Sequence, residues 1–148
     1  MTNNKQNKLE GKRIAAFDYG LKRVGFAVCD ALHISVTPKR IFDPTKPDFW
    51  REVVESLKDE EVAAAVVGVP YRDDGKESEL IDVIEKFIEQ LKEKTGLLVF
   101  AYDESYSSRE AISTMLEIGK KRKKRSKKGA KDKIAAAIIL TNFLDELY

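Results

Sequence analysis

Cysteine and histidine are almost absent: the 148-residue chain has one of each, Cys29 and His33. One thiol excludes an internal disulfide and a multi-cysteine zinc centre. One imidazole excludes a multi-histidine metal centre. His33 reads as an ordinary strand or turn residue, which leaves no Ser-His-Asp or Cys-His machinery. Long apolar runs are missing too. No stretch reaches the roughly 20 residues that span a bilayer, so no membrane association is expected. The opening Met1-Thr-Asn-Asn-Lys-Gln-Asn-Lys has no apolar core and does not read as a signal peptide. Residues 1–11 read as a flexible arm, and a cytoplasmic location is the simplest fit. These absences confine any enzymatic chemistry to carboxylates, lysines, hydroxyls or a hard metal ion held by oxygen ligands.

What is present suits one domain over residues 12–148. Hydrophobic residues make up 43% and charged residues 35%, the balance of a folded chain rather than a disordered one. A chain this long buries most of its apolar surface on folding. The formal net charge of +2 conceals an asymmetry. Lys120 to Lys133 holds ten Lys/Arg and one acid, leaving 17 basic against 24 acidic residues elsewhere, a net of −7. An acidic body with one concentrated basic segment points to a polyanionic partner engaged at one place.

The hydrophobic pattern gives an element order. Lys12 to Phe17 is a β run, interrupted at Asp18-Tyr19-Gly20. Val24 to Cys29 resumes it as the second arm of an antiparallel hairpin. Ile34 to Phe42 is a third strand, placed at an edge by Pro38. From Asp48 the period becomes helical, with Phe49, Val53, Val54 and Leu57 on one stripe. Val62 to Val69 is a continuous apolar run, as in a strand buried on both faces of a parallel sheet. Leu80 to Leu91 mark a long amphipathic helix closed by Thr95-Gly96. Leu97 to Tyr102 reads as another buried strand, ending at Asp103-Glu104. Ser107 or Ser108 caps a helix through Ile118, and Ile134 to Leu147 is a last apolar helix. The fold expected is α/β: a five-stranded mixed sheet, with a three-strand antiparallel meander and two parallel strands, flanked by helices.

Acidic residues stand at the ends of these elements. Asp18 closes the first strand, Asp103 and Glu104 close the last, and Asp132 opens the final helix. Ligands of open α/β sheets gather outside the carboxyl ends of strands, so Asp18 and the Asp103-Glu104 pair share an edge. The pair points to opposite faces of an extended strand, and the sequence leaves open which member reaches the pocket. Asp132 shares a helical stripe with Ala135, Ala136 and Ile139. Each carboxylate alone has an ordinary explanation, a cap for Asp132 or a turn for Asp18. Gathered, they repel one another unless cations neutralise them. Mg²⁺ or Mn²⁺ bound by Asp18, Asp132 and Asp103 or Glu104 is the expected cofactor, and hydrolysis of a phosphodiester the expected chemistry.

Four motifs then carry a resemblance. Phe17-Asp18-Tyr19-Gly20-Leu-Lys-Arg23-Val-Gly25-Phe-Ala27 resembles the opening motif of the YqgF family of ribonuclease-H-like proteins. Val67-Gly68-Val69-Pro70, with Gly75 after it, is similar to the second. Asp103-Glu104 with Ser107-Ser108 and Ala111 resembles the third. Lys128-Gly129-Ala-Lys131-Asp132, running into Ala135-Ala136 and Ile138-Ile139-Leu140, resembles the last. The resemblance implies a ribonuclease-H-like nuclease that processes the 5′ end of precursor 16S ribosomal RNA, with Asp18, Asp103, Glu104 and Asp132 as catalytic positions. The expected nucleic-acid contacts are Arg23, Arg109, Lys120, Lys121, Arg122, Lys123, Lys124, Arg125, Lys127, Lys128 and Lys131. The family usually reads Asp-Glu-Arg at the third motif, whereas Ser105 follows Glu104 here and supplies no charge. The Val62–Val69 strand also ends without a carboxylate.

Two other functions fit the same residues. One is a non-catalytic RNA-binding factor in ribosome assembly. The other is a Holliday-junction-resolvase-like endonuclease acting on branched DNA, normally as a symmetric dimer; the oligomeric state expected is monomer or homodimer. A sugar-kinase or actin-like ATPase, which Asp-Tyr-Gly faintly resembles, needs two lobes where this chain supplies one.

Overall fold

A computed structural model describes residues 2–71, 78–104 and 127–148, and the side chains of all of these except 2–5, 78 and 127–133. The described residues form four helices and five strands: α1 Thr2–Leu9, β1 Ile14–Tyr19, β2 Val24–Cys29, β3 Val36–Phe42, α2 Phe49–Asp59, β4 Ala64–Val69, α3 Ser78–Thr95, β5 Leu98–Asp103 and α4 Lys127–Leu147. The sheet order is β3-β2-β1-β4-β5. The first three strands are antiparallel neighbours, while β4 pairs parallel with both β1 and β5. This is the mixed five-stranded sheet that the pattern predicts.

The alternation of side chains along β1 assigns the two faces. Ala15 and Phe17 join a core with Phe49, Val53 and Leu57 of α2 and Ile84, Phe87 and Leu91 of α3. Ile14 and Ala16 join another with Ile139, Leu140, Phe143 and Leu144 of α4. Strands β2 and β4 are buried at all six positions because both their faces are covered. Ala136 and Ala137 meet Ala27 of β2, and side chains this small let α4 settle close to the sheet. Pro38 lies on edge strand β3 as expected. The register slips there, Phe26 pairing with Arg40 and Ala27 with Pro38, so Lys39 is the extra residue of a bulge.

Several boundaries differ from the sequence pattern. Strand β1 runs on through Asp18 and Tyr19, paired with Gly25 and Val24. The hairpin can turn so late because the Gly20 N–H bonds to the Arg23 carbonyl at 2.9 Å, and a Cβ at Gly20 would lie 2.9 Å from that same oxygen. Strand β5, expected to be buried, is an edge strand, with Leu98 42% exposed. Helix α4 begins at Lys127, so Asp132 lies in its second turn and does not open or cap it. The expected helix from Ser107 or Ser108 to Ile118 falls outside the described residues. No helix among the described residues is long and apolar enough to cross a membrane.

The N-terminal segment carries a short helix. Residues 2–9 form α1, and Leu9 is fully buried with Ile14 and the C-terminal half of α4. Gly11 ends the segment at φ +76°, a backbone setting that costs glycine little. One apolar residue in a polar stretch gives no periodic signal, which is why the pattern missed it. Leu→Ala at a fully buried site typically costs 2–5 kcal/mol. Leu9→Ala should therefore lower unfolding free energy by about 2 kcal/mol or more in a urea titration. An unchanged midpoint would mean that α1 does not dock in solution.

Candidate active site

The carboxyl ends of β1, β4 and β5 lie side by side, with Phe17 opposite Val67 and Val69 opposite Asp103. Asp18 alternates with Phe17 and Tyr19, so it faces the α4 side together with Ile14 and Ala16. On β4, Ala64 and Val66 face the same side, and Gly68 follows in that series. A Cβ on Gly68 would meet Glu104 Oε1 at 2.5 Å, Ile139 Cδ1 at 2.6 Å and Glu104 Cδ at 2.8 Å. Glu104 thus folds back from the end of β5 and lays its carboxyl group in the space that glycine leaves, beside Ile139 of α4.

That position is electrostatically costly. Burial raises the Glu104 carboxyl to about 7, and the nearby charges of Asp18 and Asp103 push in the same direction. Asp103 belongs to the other side of the sheet, in series with Val99, which packs against the α2/α3 core. Tyr71 registers it there: its hydroxyl is pushed up by burial, then by Glu85 of α3, its hydrogen-bond partner, and by Asp103. Of the two acids that end β5, Glu104 shares a face with Asp18.

Helix α4 runs from this edge toward the amino ends of the strands. Ile139 lies over Gly68, and Leu147 packs with Leu9 and Ile14. Asp132 precedes Ala136 by four residues and Ile139 by seven along α4. Its side chain lies outside the described ones. Among the described residues no three acidic, histidine or cysteine side chains gather as a metal cluster; the described acidic pair is Asp18 with Glu104. Arg23 stands exposed in the β1–β2 turn. Arg109 and residues 120–125 fall outside the described residues. Lys127, Lys128 and Lys131 are in the first turns of α4, their side chains likewise undescribed. His33 has no place at this edge. It bonds the Tyr148 hydroxyl at 2.7 Å and the Lys12 carbonyl at 2.8 Å at the other end of the sheet.

Gly68 and Ile139 are the site residues that motif reading did not single out as such. A glycine inside an otherwise apolar strand marks a close approach, and that signal was legible at Val67-Gly68-Val69.

Residues 12–146 match the family described as RuvX: Holliday junction resolvase. A relative in Chlorobium luteolum, named as a candidate pre-16S rRNA nuclease, is 39% identical over 135 residues, covering 90% of this chain and 94% of the relative. One of the same name in Chlorobaculum tepidum is 38% identical over the same share of each. Among solved structures, the fold is similar to Thermus thermophilus RuvC in complex with a Holliday junction substrate, with a TM-score of 0.57 and 18% identity over 90% of this chain and 93% of that one.

The raised Glu104 carboxyl gives a pH dependence of stability. It keeps its proton in the folded protein to about pH 7, whereas the unfolded chain loses it near 4.5. Between these values the folded state binds more protons, so stability falls as pH rises from about 4.5 to about 7, by at most about 3 kcal/mol. In metal-free buffer, Glu104→Gln should melt above the parent at pH 8 and alongside it at pH 4. Parallel melting curves across that range would refute the buried, crowded carboxyl.

Proposed function

Since the chain belongs to the RuvX resolvase family, whose members are nucleases hydrolysing phosphodiester bonds, we propose that it is an RNA-directed member: a divalent-metal-dependent nuclease that processes the 5′ end of precursor 16S ribosomal RNA. It acts in the cytoplasm, as a monomer or homodimer. The observation that carries this reading is the Glu104 carboxyl buried over Gly68 on the Asp18 face. Burying one acid beside another is unfavourable unless a cation or a proton compensates. RNA is preferred over branched DNA as substrate because the relatives at 38–39% identity bear the RNA-processing name, whereas the likeness to RuvC, at 18% identity, concerns the fold.

The donor set fits Mg²⁺ or Mn²⁺, which favour hard oxygen ligands and accept phosphate oxygens alongside one or two carboxylates. Asp18, Glu104 and Asp132 are the residues that would hold the metal. Bound there, it would supply charge neutralisation at the scissile phosphate and a water of lowered pKa. The chain's own contribution is positional. Asp18 is fixed by its pairing with Gly25, and Glu104 is wedged between Gly68 and Ile139. Without a cation the Glu104 carboxyl keeps its proton to about pH 7, so a metal held there would displace that proton and meet an ionised oxygen ligand. Asp103, on the other face, tunes Glu104 through its charge.

The basic residues Lys120 to Arg125, with Lys127, Lys128 and Lys131, grip the phosphate backbone and lead into the helix bearing Asp132. Arg23 and Arg109 add further phosphate contacts. Ser105 supplies none, and the basic segment takes over that charge.

Two measurements test this. Purified protein should cleave a precursor 16S RNA fragment with Mg²⁺ or Mn²⁺ and not with EDTA. It should prefer that RNA to a four-way DNA junction; the opposite preference would make the protein a resolvase, and binding without cleavage an assembly factor. Asp18→Asn or Asp132→Asn should lower the rate more than about a hundred-fold, the several kcal/mol that a metal-holding group contributes, with the fold intact by circular dichroism. For the basic segment, replacing residues 120–124 by alanine should flatten the salt dependence of RNA binding by several units, at about 0.7 per phosphate contact. An unchanged salt slope would remove the segment from the interface.

A further inference from the structure

The same edge of the sheet carries an aromatic pocket on the opposite face, and the proposed hydrolysis makes no use of it. Tyr19 follows Asp18 on β1 and faces the α2/α3 side. Lys46 in the loop after β3, Phe49 and Trp50 in the first turn of α2, and Phe87 and Gln90 of α3 stand around it and line an open cleft of about 250 Å³. The register explains the meeting: Tyr19 pairs with Val24 and Val24 with Phe42, so the loop after Phe42 rises beside Tyr19.

The pocket is more than unfilled core. Phe49 and Phe87 are buried and form its floor, while Tyr19 and Trp50 stay half-buried and form its walls. Tyr19 lies 4.8 Å from Phe87, and Trp50 stacks on Phe87 at 5.2 Å and 26°. Both wall rings are thus held in fixed planes by the same buried phenylalanine. One cation, Lys46, lines the rim; Lys94, outside the lining, stands with its Nζ 5.4 Å over the Trp50 ring. Gln90 adds an amide that both donates and accepts, matching the edge of a heterocycle. The volume falls just below the roughly 300–1,000 Å³ of drug-sized sites, the size of one nucleotide unit. Partly exposed rings with a lysine beside them are how proteins hold single-stranded nucleic acid, stacking the base and neutralising the phosphate.

We propose that this pocket holds one unpaired nucleobase of the substrate strand, stacked on Tyr19 and Trp50, while a nearby phosphodiester lies at Asp18 and Glu104. Adjacent Cα atoms are about 3.8 Å apart, so Asp18 and Tyr19 put the two sites on opposite faces of a single strand. A nucleic-acid chain rounding the carboxyl edge of the sheet reaches both. The subsite rests on the nuclease reading for its substrate, and it selects for unpaired nucleotides next to the cleaved bond.

Trp50 is the only tryptophan in the chain, so its fluorescence reports on the pocket alone. The protein is titrated in EDTA with adenosine 5′-monophosphate and, in parallel, with ribose 5-phosphate. Saturable quenching by the nucleotide but not by the sugar phosphate is expected. Tyr19→Leu should weaken that nucleotide binding roughly five- to hundred-fold, the range that one base stack contributes. Gln90→Ala, at an exposed position where folding is not at stake, should weaken it several-fold. No saturable response, or an equal response to ribose 5-phosphate, overturns the base pocket. Because cleavage is absent in EDTA, quenching without later RNA cleavage in Mg²⁺ would keep the pocket and sink the nuclease. Cleavage without quenching would do the reverse.

Discussion

Much of this molecule is arranged around one unfavourable interaction, a carboxyl group buried against the sheet beside a second acid. Glu104 reaches its place only because Gly68 has no side chain, and Ile139 of α4 closes over it. Burial and the charges of Asp18 and Asp103 lift its carboxyl to about 7. Such an arrangement costs folding free energy in every state in which Glu104 is ionised without a counter-charge. Its persistence is understandable if the compensating charge arrives with function.

The rest of the fold supplies the geometry. Parallel pairing of β4 with β1 and β5 brings three carboxyl ends to one edge. The small residues Ala16, Ala27, Ala64 and Ala136 are fully buried and let α4 come close to the sheet. The alternation of side chains then splits consecutive residues between the two faces of the sheet. Asp18 and Glu104 go to the α4 face, while Tyr19 and Asp103 go to the α2/α3 face. The charge is divided along the chain as well, with ten Lys/Arg between Lys120 and Lys133 and a net of −7 elsewhere.

The fold was largely legible because its signals are periodic. The apolar run at Ala64–Val69, the helical stripe of Val53 and Leu57, and Pro38 at the edge each follow from local pattern. Leu9 escaped because one residue makes no period, and the exposure of β5 escaped because position in a sheet is a tertiary fact. The carboxylates at the strand ends were readable as a set. The choice between Asp103 and Glu104 was not, since it depends on where the chain bends after β5 and on the room above Gly68. The aromatic pocket was invisible for a related reason. Trp50 stands outside the stripe of Phe49, Val53, Val54 and Leu57, Phe87 lies on another helix, and only the packing brings both beside Tyr19.

The most direct test is proton release on metal binding. Calorimetric titration of Mg²⁺ into the protein near pH 7, in buffers of different ionisation enthalpy, counts the protons displaced. A carboxyl titrating at about 7 should release on the order of half a proton at pH 7, because the cation stabilises its ionised form. Glu104→Gln should release none. Mg²⁺ binding with no proton release in the parent, or the same release from Glu104→Gln, would contradict the proposal that the buried Glu104 holds the metal.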